Sequence, residues 1–85
     1  MQIYYTYIVE CADGTYYTGK TSDLEKRVKQ HNGLLSGGAK YTKQRKPVKL
    51  VYYEKLETNQ IACMREVYIQ QLTRKQKEKL IEGNL

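Results

Sequence analysis

Two phenols, a guanidinium and an imidazole stand at spacings that one β-hairpin and one helix could bring together. Tyr5-Thr6-Tyr7 is followed ten positions after Tyr7 by Tyr17-Thr18-Gly19, and then by Arg27 and His31 one helical turn apart. Tyr and His can move protons, and Arg can hold a phosphate with a planar two-bond fork. The set suits cleavage of a phosphodiester, which needs an activated water, neutralisation of charge building on the phosphate and a stabilised leaving oxygen. Tyr7 or Tyr17 is the candidate proton acceptor. A free phenol titrates near about 10, so positive charge from Arg27, Lys20 or a bound cation is expected to favour the phenolate. Arg27 is the expected phosphate clamp, and His31 is expected to support a tyrosine or the attacking water. Each also has a plain reading: His31 as a capping or solvated side chain, Arg27 as a surface cation paired with Asp23.

The elements that must position these groups follow from local patterns. Ile3 to Cys11 and Thr15 to Lys20 are rich in Tyr, Ile, Val and Thr, and Ala12-Asp13-Gly14 between them marks a hairpin. A two-residue turn would put Tyr7 and Tyr17 on opposite sheet faces. A three-residue loop with left-handed Gly14 puts Tyr7 opposite Gly19 and Tyr17 opposite Val9, on one face, and this is the register expected. Ser22-Asp23-Leu24-Glu25 reads as a capping box, Leu24 and Val28 as the apolar face of the helix, and Asn32-Gly33 as its end. Residues 34–46 read as a loop with at most a short helix. Pro47 then opens a third strand through Glu54, in which Val48, Leu50 and Tyr52 alternate with Lys49, Val51 and Tyr53. From Thr58 the period turns helical, and Ile61, Met64, Tyr68, Ile69 and Leu72 form a stripe expected to pack on the sheet. Thr73-Arg74-Lys75-Gln76 is a second capping box, opening a short last helix with Leu80 and Ile81. The expected fold is one α+β domain, residues 1–85, with a three-stranded antiparallel sheet flanked by helices.

Composition narrows the partner. With 85 residues there is room for one small core, and all nine aromatic residues are Tyr, which favours half-buried sheet surfaces and polar clefts. A formal charge of +6 favours a polyanion. Lys40, Lys43, Arg45 and Lys46 cluster around Tyr41, where cations could meet phosphates while a ring meets a base. The same segment also reads as an ordinary solvated basic loop. Cys11 and Cys63 are too few and too far apart for a metal knuckle and read as reduced thiols. No signal peptide or membrane-spanning apolar run is visible, so no membrane partner is expected and the location expected is cytoplasmic.

The ordered set resembles the GIY-YIG nuclease domain, with Tyr5-Thr6-Tyr7 in the place of the first triplet and Tyr17-Thr18-Gly19 in that of the second. Asp23 to His31 resembles the helix that follows in homing endonucleases and the excision-repair nuclease subunit. The similarity covers nearly the whole chain and is nearest to small stand-alone bacterial members. Tyr5 stands for the first Gly and Thr18 for the middle apolar residue of the second triplet. The asparagine many relatives carry near the domain's end has no matched counterpart, Asn84 lying at the terminus. The resemblance implies catalytic roles for Tyr7, Tyr17, Arg27, His31 and Glu66, with Glu66 as the metal ligand. One Mg²⁺ or Mn²⁺ would bind there mainly with substrate, because a single carboxylate is a weak site for a hard cation. Lys20, Lys40, Tyr41, Lys43, Arg45 and Lys46 would contact nucleic acid, and Lys20 follows the second triplet as in the excision-repair relatives. The activity implied is a metal-dependent DNA endonuclease acting on branched or damaged DNA in repair or recombination. Two rivals stand beside it: a binding module with a degenerate site, and a small basic adaptor that docks an acidic protein. The sequence leaves oligomeric state open.

Overall fold

The hairpin sets the register on which everything else depends. In a computed structural model that describes residues 2–83, strand β1 (Tyr4–Glu10) pairs antiparallel with β2 (Tyr16–Thr21). Asn84 lies outside the described residues. Gly14 takes a φ of 84°, and Cys11 N donates to Thr15 O at 2.8 Å across the loop. Asp13 Oδ1 accepts from Thr15 N at 3.1 Å and from Thr15 Oγ1 at 2.6 Å. The expected three-residue loop is therefore present, with Tyr7 opposite Gly19 and Tyr17 opposite Val9. Alternation then puts Tyr7, Tyr17 and Gly19 on one sheet face.

Strand β3 (Lys49–Leu56) completes an antiparallel sheet in the order β2-β1-β3, and the architecture is α+β. Its start and facing differ from expectation. Val48 N donates to Asn32 Oδ1 at 2.6 Å and Val48 O accepts from Asn32 Nδ2 at 3.0 Å, which ties this residue to the end of helix α1 (Leu24–His31). A register shift between Ile8 and Val9 then breaks the alternation. Tyr52 pairs with Ile8 and Leu50 with Val9, leaving Val51 as a bulge. Leu50 consequently packs with Tyr7 and Val9, while Val51 and Tyr52 both turn to the other face with Ile8.

The sheet separates two thin cores. On one face Tyr7, Val9, Cys11 and Val48 meet Leu24 and Val28 of α1. On the other Ile8 packs on Ile69 of helix α3 (Asn59–Gln70) and Leu80 of α4 (Arg74–Ile81). A short helix α2 (Lys40–Lys43) interrupts the long connection before β3. The cap of α1 is Asp23, not Ser22: its side chain accepts from Lys26 N at 3.1 Å, and its own amide donates to Thr21 Oγ1 at 3.1 Å. The Thr73–Gln76 capping box of α4 is present as read.

Helix α3 is rotated from the expected packing. Ile61, Met64 and Tyr68 are exposed, Met64 to 65%, and the buried residues are Ala62 and Ile69. Two long-range contacts select this face. Small Ala62 lets the helix close on β1, where Thr6 Oγ1 donates to Ala62 O at 2.7 Å. Half-buried Arg65 gives two hydrogen bonds to Glu54, at 2.8 and 2.7 Å. The row Ala62, Glu66, Ile69 then faces inward at i, i+4, i+7, and Glu66 is half-buried.

Candidate active site

The Tyr7 side chain lies across the neighbouring strand. It is only 1% exposed, and a Cβ placed on Gly19 would come 2.6 Å from its hydroxyl and 3.3 Å from the Tyr17 ring. A glycine at this position leaves the room in which the two phenols converge. Tyr7 Oη sits 2.7 Å from His31 Nε2, and Arg27 Nε donates to the same oxygen at 3.4 Å. His31 is the last residue of α1 and is 1% exposed, so it is neither solvated nor a surface cap. Its other ring nitrogen, Nδ1, lies 2.9 Å from Thr42 Oγ1 on α2. Tyr17 stands edge-on to His31, ring centroids 5.1 Å apart, and stacks on Tyr41 at 5.8 Å.

Arg27 is held from the protein side. Its Nη1 donates to Gln30 Oε1 at 3.0 Å and to Gly37 O at 2.7 Å, and the Asp23 carboxylate is not among the guanidinium's partners. Among the described residues Nη2 has no hydrogen bond, which leaves one edge of the fork unused. Glu66 comes from the far side of the sheet, yet its charge is felt at the Tyr7 phenol. Among the described residues it has no hydrogen bond or ion pair, because neighbouring Arg65 is committed to Glu54.

The remaining basic residues divide. Lys43 and Lys46 line an open cavity of about 410 Å³ beside His31 and Gly38, and Lys40 is exposed on α2. Arg45 is turned inward. Its Nε lies 3.1 Å from Asp13 Oδ2 without its N–H aimed there, its Nη1 donates to Tyr41 O at 2.9 Å, and its guanidinium covers the Tyr41 ring at 3.9 Å. Tyr41 is thus engaged with Tyr17 and Arg45. Lys20 donates to Asn59 Oδ1 at 2.9 Å, on the α3 side. Thr18 alternates away from Tyr17 and lies buried under α3, so its departure from the apolar pattern does not reach the phenols. Tyr5 stands edge-on to Tyr53, centroids 5.9 Å apart. Thr42 is the site residue sequence reasoning passed over. Its signal is faint, a small β-branched hydroxyl between Tyr41 and Lys43 in a stretch that reads as basic loop.

Burial reverses the expected electrostatics. It pushes the Tyr7 phenol up to about 12, against the opposing pull of Arg27. Burial first, and the Arg27 charge second, lower the His31 imidazole to about 4. Phenol and imidazole therefore meet as neutral partners at neutral pH. Stability carries the consequence. Between pH 6.5, the unfolded value, and about 4, the unfolded chain binds more protons at this residue, so the folded state weakens as pH falls through that window and levels below it. The loss is on the order of 3 kcal/mol. Urea unfolding from pH 7 downward is expected to show this slope in the parent chain and a shallower one in His31→Gln; equal slopes would mean that His31 is not held neutral.

The expected divalent cation has one candidate ligand here. Among the described residues no three His, Cys, Asp or Glu side chains converge into a metal cluster. Glu66, the carboxylate expected to hold a hard cation, is half-buried, and a single carboxylate leaves most of such a cation's oxygens to water and substrate.

Comparison with known proteins places the chain in a family. The family model described as the GIY-YIG catalytic domain matches residues 3–79. The UPF0213 protein CPE1444 of Clostridium perfringens is 54% identical over 79 residues, covering 93% of this chain and 83% of that one. The UPF0213 protein YazA of Bacillus subtilis is 48% identical over 79 residues, covering 93% and 78%. Among solved structures, that of the UPF0213 protein BH0048 from Bacillus halodurans aligns with a TM-score of 0.60 and 39% identity over 94% of this chain and 83% of that one. The protein EF2693 from E. faecalis aligns with a TM-score of 0.64 and 39% identity over 98% and 86%. The chain therefore belongs to the GIY-YIG catalytic domain family.

Proposed function

We propose that this protein is a divalent-metal-dependent endonuclease acting on DNA, with branched or damaged DNA in repair or recombination as its substrate. The reading rests above all on the Tyr7 hydroxyl, set between Arg27 and the neutral His31 ring at 2.7 Å. A buried phenol is a poor source of free phenolate, but it can pass a proton on. As water attacks phosphorus, its proton goes to Tyr7 Oη while the Tyr7 proton goes to His31. The water oxygen bonds to phosphorus, the bond to the leaving sugar oxygen breaks, and that oxygen takes a proton from solvent. His31 later returns its proton to solvent. Arg27 offers its free edge to the phosphate, and Tyr17 keeps the His31 ring in place. When bound at Glu66, a cation supplies Lewis-acid polarisation of the phosphate and stabilises the leaving oxygen. Lys43 and Lys46 track the backbone, so recognition rests on phosphates and shape.

Incubation with single-stranded, duplex, flap and branched DNAs, in Mn²⁺, Mg²⁺ or chelator, tests the proposal. Metal-dependent cleavage, strongest on a flap or branched DNA, is expected. Salt-dependent binding with no cleavage would instead support the binding module, a reading that the raised Tyr7 phenol favours. Absence of DNA binding would point to the adaptor.

The groove carries its own prediction. Lys43→Gln and Lys46→Gln are each expected to lower the logarithmic salt slope of duplex binding by about 0.9. Arg45→Gln is expected to change it less, because Asp13 already faces that cation. Titrations at four salt concentrations read the slopes, and an unchanged slope in both lysine variants would remove this cavity from the DNA path.

A further inference from the structure

Thr42 ends a chain of hydrogen bonds whose direction can be read from its last acceptor. Its Oγ1 lies 3.0 Å from Ala39 O, a carbonyl that can only accept, so the single Thr42 hydroxyl proton is committed there. Thr42 Oγ1 must then accept from His31 Nδ1 at 2.9 Å. With the proton on Nδ1, a neutral ring carries its lone pair on Nε2, which faces Tyr7 Oη at 2.7 Å. The phenol donates to that lone pair, and its oxygen accepts from Arg27 Nε. Every donor from Arg27 to Ala39 points the same way. Thr42 is also fully buried, and its hydroxyl makes no contact with Tyr7 or Arg27.

We infer that Thr42 is a positioning residue that fixes His31 in the Nδ1–H tautomer, so that Nε2 stands ready to receive the Tyr7 proton. The inference rests on the nuclease reading for its catalytic consequence but not for its structural content. In the opposite tautomer Nε2–H would point at Tyr7 Oη, the phenolic proton would lose its acceptor and the relay would stop. Ser at position 42 retains the hydroxyl; Val retains the shape and removes it.

His31 is the sole histidine of the chain, so an untagged, nitrogen-labelled sample gives one imidazole signal set. At neutral pH the parent protein and Thr42→Ser are expected to show a protonated Nδ1 and an unprotonated Nε2. Thr42→Val is expected to show tautomer exchange, with kcat lowered about ten- to a hundredfold, the range for losing an outer orienting partner, and KM little changed. Thr42→Ser should restore most of kcat, which mere loss of packing at this site would not explain. A parent spectrum with Nε2 protonated overturns the inference, and that result needs no variant to fold. So does Thr42→Val with the parent tautomer and full kcat. A parent protein that cuts no DNA yet shows the Nδ1–H form, lost in Thr42→Val, supports the positioning role and overturns the nuclease reading.

Discussion

Tyr7→Phe is expected to lower DNA cleavage by about a hundred- to ten-thousandfold, the range for losing a positioned proton-transfer group. The ring would still fill its place against Val9, Leu50 and the Gly19 gap, so the hairpin and α1 should remain packed. What disappears is the oxygen shared by His31 and Arg27, at 2.7 and 3.4 Å. Leaving the buried His31 Nε2 without its partner costs about 1–3 kcal/mol of stability, too little to unfold a domain of ordinary stability. Cleavage and unfolding measured on the same preparation separate the effects. A Phe variant that cuts at the parent rate would take Tyr7 out of the chemistry and leave its bond to His31 as a packing contact.

Glu66→Gln is expected to lower cleavage by at least about a hundredfold, comparable to losing one strong electrostatic contact in a transition state. It keeps the side chain's size and removes the charge a hard cation needs. DNA binding without metal should persist or tighten, because a carboxylate facing phosphate repels it until a cation intervenes. Stability should change little, since no cation or donor among the described residues depends on this carboxylate. Filter binding in chelator and cleavage in Mn²⁺ read the two halves. Loss of binding together with cleavage would mean that Glu66 supports the fold and not an ion.

Most of the hairpin was legible because the information is local. Asp13-Gly14 and the Tyr-Thr-Tyr alternation admit few registers, and the one that puts both phenols on one face is the one formed. Arg27 and His31 meet Tyr7 for the same reason, since i,i+4 spacing on a helix leaving that hairpin gives them one direction. Legibility failed where contacts between distant residues decide. Val51, Tyr52 and Tyr53 all favour strands, so no propensity marks the bulge that turns Val51 and Tyr52 to one side. Helix α3 carries apolar residues on most of its faces, and its rotation is chosen by Thr6 at Ala62 and Glu54 at Arg65, partners remote in sequence. The direction of the Tyr7 shift was misread because the sequence displays the charge of Arg27 but not the burial that outweighs it. Thr42 stayed hidden because its importance lies in one hydroxyl set between the Ala39 carbonyl and the His31 ring, visible only once α2 is folded against His31.

One measurement bears most directly on the claim that these side chains form a phosphodiesterase site. Single-turnover cleavage of one labelled DNA, chosen from the panel above, should be followed in Mn²⁺ with the parent protein, Tyr7→Phe and Glu66→Gln, all purified identically and in excess over DNA. Cleavage by the parent protein is expected, slowed at least about a hundredfold in each variant, while all three bind that DNA with similar affinity in chelator. Equal rates in the three proteins would contradict it, and would assign the cutting to something other than this site.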